Sequence, residues 1–148
     1  MSGDSDRQSR SMVDREQSGR YGAVLTGDPA EIPHLRKAIA HMAGVHGFED
    51  RAKDLVLALD ELVANAREHG EPPITVSAWY DCRLVLTVSD VGSGFDGRRI
   101  PHSVPSKDHH RGRGLWIIRQ LVDHMTITSS ETGTTVRVEM THEPQLGA

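Results

Sequence analysis

One cysteine, Cys82, is present in the 148-residue chain, so no intrachain disulfide can form and a cysteine-rich metal site is excluded. Standing alone in a β-like run, Cys82 reads as a small core residue. Aromatic residues are scarce as well, with two each of Phe, Trp and Tyr, so the core has to be built from Leu, Val, Ile and Ala. No stretch approaches the roughly 18 consecutive apolar residues of a membrane span, and the first residues lack the apolar segment of a signal peptide. The expected location is therefore cytoplasmic, without membrane association. Positive charge is not in excess either. The chain carries 17 basic and 21 acidic residues, a formal charge of −4, which argues against direct nucleic-acid binding because such proteins present a basic face or stripe. A local basic pocket for a phosphorylated ligand stays open.

What is present describes one globular domain. Apolar residues make up 36% and charged residues 26%, and the length suits a single core. Residues Met1 to Arg20 are Ser, Asp, Arg and Gln with almost nothing apolar. Such a segment cannot offset its ordering entropy by burial and reads as a mobile polar tail. The domain is expected over residues 21–142, with a short C-terminal tail at 143–148.

Tyr21–Thr26 reads as a first strand, followed by a Gly27-Asp28-Pro29 turn in which Asp28 is a candidate N-cap. From Ala30 to about Gly44, Ile32, Leu35, Ile39, Met42 and Ala43 recur at helical spacing. A second helix is expected from about Glu49 to Glu68, carrying Leu55, Leu59, Leu62, Val63 and Ala66 on one face and stopped by Gly70 and Pro72-Pro73. Ile74–Tyr80 and Leu84–Ser89 read as a hairpin across Asp81-Cys82-Arg83. Asp90 to Arg111 holds five Gly or Pro positions and little periodicity, the mark of a functional or mobile loop. A third helix is expected to begin near Gly112, with Leu115, Ile118, Leu121 and Val122 inward. Met125–Ser129 and Thr134–Met140 then close the chain as a second hairpin. The order predicts an α+β two-layer sandwich, a mostly antiparallel mixed sheet with helices packed on one face.

Glu61 and Asn65 lie four apart on the second helix and so project from one face. Taken alone, such a pair is a solvated polar stripe, and His69 one turn on is accounted for by the helix dipole. Asp90 ends a strand and leads into Val91-Gly92-Ser93-Gly94, where glycines let backbone approach a flat ligand. An aspartate there accepts hydrogen bonds only, which suits an exocyclic amine such as that of adenine. Gly112-Arg113-Gly114 opens a helix after a loop with Lys107, His109, His110 and Arg111, an arrangement that fits a polyanion at a helix N-terminus. The spacing is neither a P-loop nor a strand-linked dinucleotide fingerprint. A zinc reading of His109-His110 lacks a third ligand.

Together and in this order, the segments resemble the ATPase domain shared by gyrase, histidine kinases and MutL (GHKL). Glu61-Leu62-Val63-Ala64-Asn65-Ala66 is similar to its N-box, and Asp90-Val91-Gly92-Ser93-Gly94-Phe95 to its first glycine box. Arg111-Gly112-Arg113-Gly114-Leu115 is similar to its second. Gly133-Thr134-Thr135-Val136 is similar to its final adenine-side strand. The resemblance implies the Bergerat-type ATP-binding fold, with ATP and Mg²⁺ as cofactors. It implies Asn65 as the Mg²⁺ ligand and Asp90 on the adenine amine, with Gly92 and Gly94 near the ring and Thr135 or Thr134 bridging through water. Gly112, Gly114 and Leu115 would border the phosphates, and Arg111 and Arg113 would neutralise them, with Lys107 and His110 competing for contact with the terminal phosphate. Glu61 matches the catalytic base.

Within that superfamily the chain most resembles the bacterial anti-sigma-factor serine kinases. This implies phosphorylation of an anti-anti-sigma antagonist, sequestration of a sigma factor, and a homodimer. A docking module that binds ATP only as a structural ligand, and a detached histidine-kinase catalytic domain, are the competing readings.

Overall fold

A computed structural model describes residues 15–17, 19–92 and 110–142 of the chain. The elements in order are β1 (Arg15–Gln17), β2 (Arg20–Leu25), α1 (Glu31–Val45), a 3-10 turn (Glu49–Arg51), α2 (Ala52–His69), β3 (Ile74–Tyr80), β4 (Leu84–Asp90), α3 (His110–Leu121), β5 (His124–Ser130) and β6 (Gly133–Met140). The six strands form one sheet in the order β1-β2-β3-β4-β6-β5. All five pairings are antiparallel, so the sheet carries no parallel member among these strands. The α+β two-layer arrangement expected from the sequence is the one observed.

Alternation along the strands decides which face is covered. Ile74, Val76 and Ala78 of β3 and Leu84, Leu86 and Val88 of β4 are buried, as are Val138 and Met140 of β6. They meet Leu35, Ile39, Met42 and Ala43 of α1, Leu55, Leu59, Leu62 and Val63 of α2, and Leu115 and Ile118 of α3 in one hydrophobic cluster. The central helix α2 packs against both α1 and α3. Burial of a Leu or Ile side chain is worth about 1.5–3 kcal/mol, so this single cluster is the main source of stability in a chain with few aromatics.

Several expectations shift. Arg15–Gln17, placed by composition in a polar tail, pairs with Arg20–Gly22 as an edge strand. An edge strand draws on backbone bonds rather than burial, which composition does not register. The second helix begins at Ala52 rather than Glu49, after the 3-10 turn. The third begins at His110, so Gly112 and Gly114 lie inside its first turns and do not open it. Cys82 is exposed. It occupies the tip of the β3–β4 hairpin with φ of 57°, where the Asp81 N–H donates to the Arg83 carbonyl (2.9 Å). The turn therefore turns its side chain away from the core. Pro29 precedes α1, and the Asp28 carboxylate accepts from the Ala30 N–H (2.9 Å) without capping the helix.

Candidate functional site

The C-terminal half of α2 presents Glu61, Leu62, Asn65, Ala66 and His69 along one side at the three- and four-residue spacing of a helix. Leu62 and Ala66 are buried, while Glu61, Asn65 and His69 are half-buried. Gly114 of α3 packs directly against this side. A Cβ at Gly114 would sit 3.1 Å from Glu61 Oε2, 3.3 Å from Asn65 Oδ1 and 3.4 Å from Asn65 Nδ2. The bare glycine is what lets the two helices meet at Glu61 and Asn65.

Asp90 enters from the sheet. It ends β4 and pairs across the ladder with Thr134 of β6. Its Oδ1 accepts the Gly92 N–H at 2.8 Å, an Asx turn that redirects the chain out of the strand. Gly133 next to Thr134 has φ of +149°, and a Cβ there would strike the Asp90 carbonyl. Both conformation and space therefore demand glycine.

A cleft opens between these parts. It is lined by Leu62, Asn65, Ala66 and His69 of α2, Val88 and Asp90 of β4, Leu115 of α3, Ile127 of β5, and Thr134 and Val136 of β6. Its cavity volume is about 40 Å³, and it opens to solvent. Its lining is mainly apolar, with Asn65, His69, Asp90 and Thr134 as the polar members, the balance expected of a small-molecule site. Two of those polar groups lack a hydrogen-bond partner: Asn65 Nδ2 and His69 Nε2 are buried without one, with Glu68 Oε2 lying 3.8 Å from His69 Nε2. Orphaned buried donors of this kind are uncommon in native proteins. They fit a ligand that brings hydrogen-bonding groups into an apolar cleft, as a nucleotide does.

The structure thus brings Asn65, Asp90, Leu115 and Thr134 to one cleft, with Glu61 and Gly114 at the adjoining α2–α3 seam. Gly92 is buried at the β4 exit, where a Cβ would come within 3.1 Å of the Gly70 Cα and the Glu71 nitrogen. Thr135 does not line the cleft. It follows Thr134 in the strand, so its side chain points to the opposite sheet face, where its hydroxyl lies 2.8 Å from that of Ser89. Of the two threonines left open by the sequence, Thr134 is the one that lines the cleft. Its hydroxyl is 3.0 Å from that of Ser129. Arg111, Gly112 and Arg113 belong to the first turns of α3. Gly94, Lys107 and His109 lie outside the described residues, as does most of the loop from Phe95 to Arg111.

Sequence reasoning missed Val88 and Ile127 of the lining, because nothing local separates these from any other apolar strand residue. It read Gly70 only as a helix stop, and gave His69 to the helix dipole. The signal for His69 was present in its spacing, four residues after Asn65. Among the described residues no group of three or more His, Cys, Asp and Glu gathers in a way that could hold a metal ion.

The profile of the histidine kinase-like ATPase domain matches residues 25–140, most of the chain and every described part of the cleft. The protein belongs to that family. Among solved structures it is similar to the histidine kinase domain of the blue-light activated histidine kinase from Erythrobacter litoralis EL346, at 19% identity over 86% of this chain and 70% of that one, with a TM-score of 0.49. A longer structure of the same Erythrobacter litoralis kinase matches at 22% identity over 75% of this chain and 40% of that chain, with a TM-score of 0.47. No curated protein matches.

Proposed function

We propose that the protein is an ATP-binding regulatory kinase that phosphorylates a serine or threonine on a protein antagonist of the anti-anti-sigma type, and that it sequesters a sigma factor in the course of that cycle. One observation carries the catalytic part of this reading: Glu61 and Asn65 converge on Gly114 at the α2–α3 seam, beside a cleft whose other side holds Asp90. Family membership supports the nucleotide. Asp90 accepts from the adenine amine, in a cleft lined by Val88, Ile127 and Val136. Asn65 would offer its side-chain oxygen to Mg²⁺, a hard cation that takes oxygen ligands.

Bound ATP supplies a transferable phosphoryl group. Glu61, one turn before Asn65 on the same helix, is the group placed to orient an attacking hydroxyl and hold its proton. Arg111 and Arg113, in the first turns of α3, are the proposed source of positive charge to neutralise the phosphates.

Single-turnover transfer from radiolabelled ATP to purified anti-anti-sigma-type proteins, with wild type and Glu61→Gln, tests the proposal. Transfer by wild type that Glu61→Gln lowers by at least a hundredfold, with ATP affinity kept, is the expected result; general-base contributions run to about 10²–10⁴. Tight ATP binding with no transfer by either protein would refute the kinase assignment and leave a nucleotide-dependent docking module.

A further inference from the structure

Gly70, the first residue beyond α2, has φ of −105° and ψ of −167°, a backbone conformation any residue can adopt. Conformation therefore does not account for glycine here; space does. A Cβ at Gly70 would fall on the Asp90 carboxyl group, against its carbon and both oxygens. Gly70 is itself tied to α2, since its N–H donates to the Ala66 carbonyl at 2.9 Å. It thus extends the helix that carries Asn65.

The contact is reinforced from both neighbouring strands. The Val91 N–H donates to the Glu71 carbonyl at 3.0 Å, and a Cβ at Gly92 would meet the Gly70 Cα and the Glu71 nitrogen at 3.1 Å each. Gly133 crowds the Asp90 carbonyl from β6, and Gly92 N–H holds Oδ1. Asp90 is therefore flanked by three glycine backbones, and Gly70 meets its carboxyl group from the end of α2.

We propose that Gly70 is a positioning residue for base recognition: its bare backbone lets the Asp90 carboxylate seat against the end of α2, and this seating sets a preference for a 6-aminopurine nucleotide. The inference rests on the nucleotide-binding reading above and adds to it the residue that fixes the base-reading group. A carboxylate is an acceptor only. It pairs with a 6-amino donor and is left unpaired by a purine without one, and a site built on such a hydrogen bond discriminates strongly when the acceptor is held in place. Displaced by a methyl group at residue 70, the carboxylate no longer meets the amine, while the apolar lining still accepts the ring.

The test is calorimetric titration of the full chain with ATP and with purine riboside 5′-triphosphate, which lacks the 6-amino group. Wild type is expected to favour ATP by tenfold or more. Gly70→Ala is expected to lose at least tenfold in ATP affinity while binding the analogue within threefold of wild type, so that the preference collapses. In an Asp90→Ala background, Gly70→Ala should leave the ratio of the two affinities unchanged, since residues that act through one another are not additive. An unchanged preference in Gly70→Ala, or an equal loss for both nucleotides, would overturn the proposal. If Gly70→Ala does not fold, the double variant with Asp90→Ala decides. A restored fold supports a clash with that carboxyl group, and continued failure refutes it. Absence of ATP binding by wild type would overturn the nucleotide reading itself, a result distinct from a wild-type preference that Gly70→Ala retains.

Discussion

Replacing Gly114 by Ala sets two effects of opposite sign against each other, and the structure says which property each governs. Gly114 is buried inside α3, where glycine is less favourable than alanine by about 0.8–1.0 kcal/mol. The added methyl would lie 3.1 Å from Glu61 Oε2 and 3.3 Å from Asn65 Oδ1, closer than carbon and oxygen ordinarily approach. Those neighbours must yield by roughly a few tenths of an ångström. Both are side-chain tips with torsional freedom, so the crowding costs on the order of the 0.5–1.5 kcal/mol of an off-rotamer side chain. The two terms nearly cancel, and the stability change should stay within about 1 kcal/mol of zero. The binding change should not cancel, because the atoms that move are those assigned to Mg²⁺ and to the attacking hydroxyl. Misplacing a positioned group by about 1 Å can cost on the order of 10²-fold in rate, so a shift of a few tenths predicts about a tenfold loss of Mg²⁺-dependent ATP affinity or turnover. Urea unfolding and ATP titration of the same preparation separate the two. Nucleotide affinity and turnover both left at wild-type values would refute the placement of the site at the α2–α3 seam. A stability loss above about 2 kcal/mol would refute the claim that Glu61 and Asn65 can move aside.

Asn65→Ala and Asp90→Asn should each weaken ATP binding by at least about tenfold, or 1.4 kcal/mol, as read by calorimetry, and normal affinity in both would show the cleft to be the wrong site. Ile118 is fully buried between α3 and the rest of the core, so Ile118→Ala should cost about 2–5 kcal/mol in urea unfolding; a cost below 1 kcal/mol would mean that α3 is not docked there. Acid should destabilise the fold through two carboxyls. Burial alone would raise Asp123, yet hydrogen bonds from Arg51 and Thr141 together with the Arg51 charge hold it below its ordinary range. Glu139 is likewise pushed up by burial and brought below its ordinary range by Arg137, Arg83 and His124. A carboxyl lowered on folding contributes stability that is fully present above its unfolded pKa, about 4, and is lost as pH falls through the folded value. The urea midpoint should therefore drop below about pH 4, and Arg51→Ala should lower it at pH 7 while reducing the drop. An unaltered acid slope in Arg51→Ala would count against the Arg51–Asp123 contact at 2.7 Å.

The legible parts of the fold were those written in local periodicity. The β3 strand runs over the range that its alternation predicted, and the apolar faces of α1 and α2 are the buried ones. Boundaries were read less well where a residue's local preference competes with a longer-range partner. Glycines 112 and 114 suggested a helix start, but helix geometry takes in two residues before them. The polar Arg15–Gln17 gave no burial signal because its pairing is made through backbone. Cys82 was assigned to the core by residue type, whereas the hairpin needs a positive φ at that position and so turns the side chain outward. Glu61, Asn65 and Asp90 were singled out by the order and spacing of the motif segments, since the Glu61–Asn65 pair taken alone reads as a solvated stripe, and the structure brings Asn65 and Asp90 to one cleft. Gly70 was read only as a helix stop, since the carboxyl it accommodates lies twenty residues later in the chain.

The choice between Thr134 and Thr135 shows what the remaining information is. Both are threonines in one strand, and no property of the residue type separates them. Register separates them, because shifting a strand by one residue exchanges its two faces. That register is fixed at the β5–β6 turn, where Ser130 pairs with Gly133 and Gly133 takes a φ of +149° that a residue with a side chain adopts only under strain. It is held again by the Ser129–Thr134 hydroxyl contact on one face and the Ser89–Thr135 contact on the other. Gly133 therefore selects which threonine faces the cleft as well as making room for the Asp90 carbonyl. A substitution there would act on the site through β6, without any contact between residue 133 and the ligand being required.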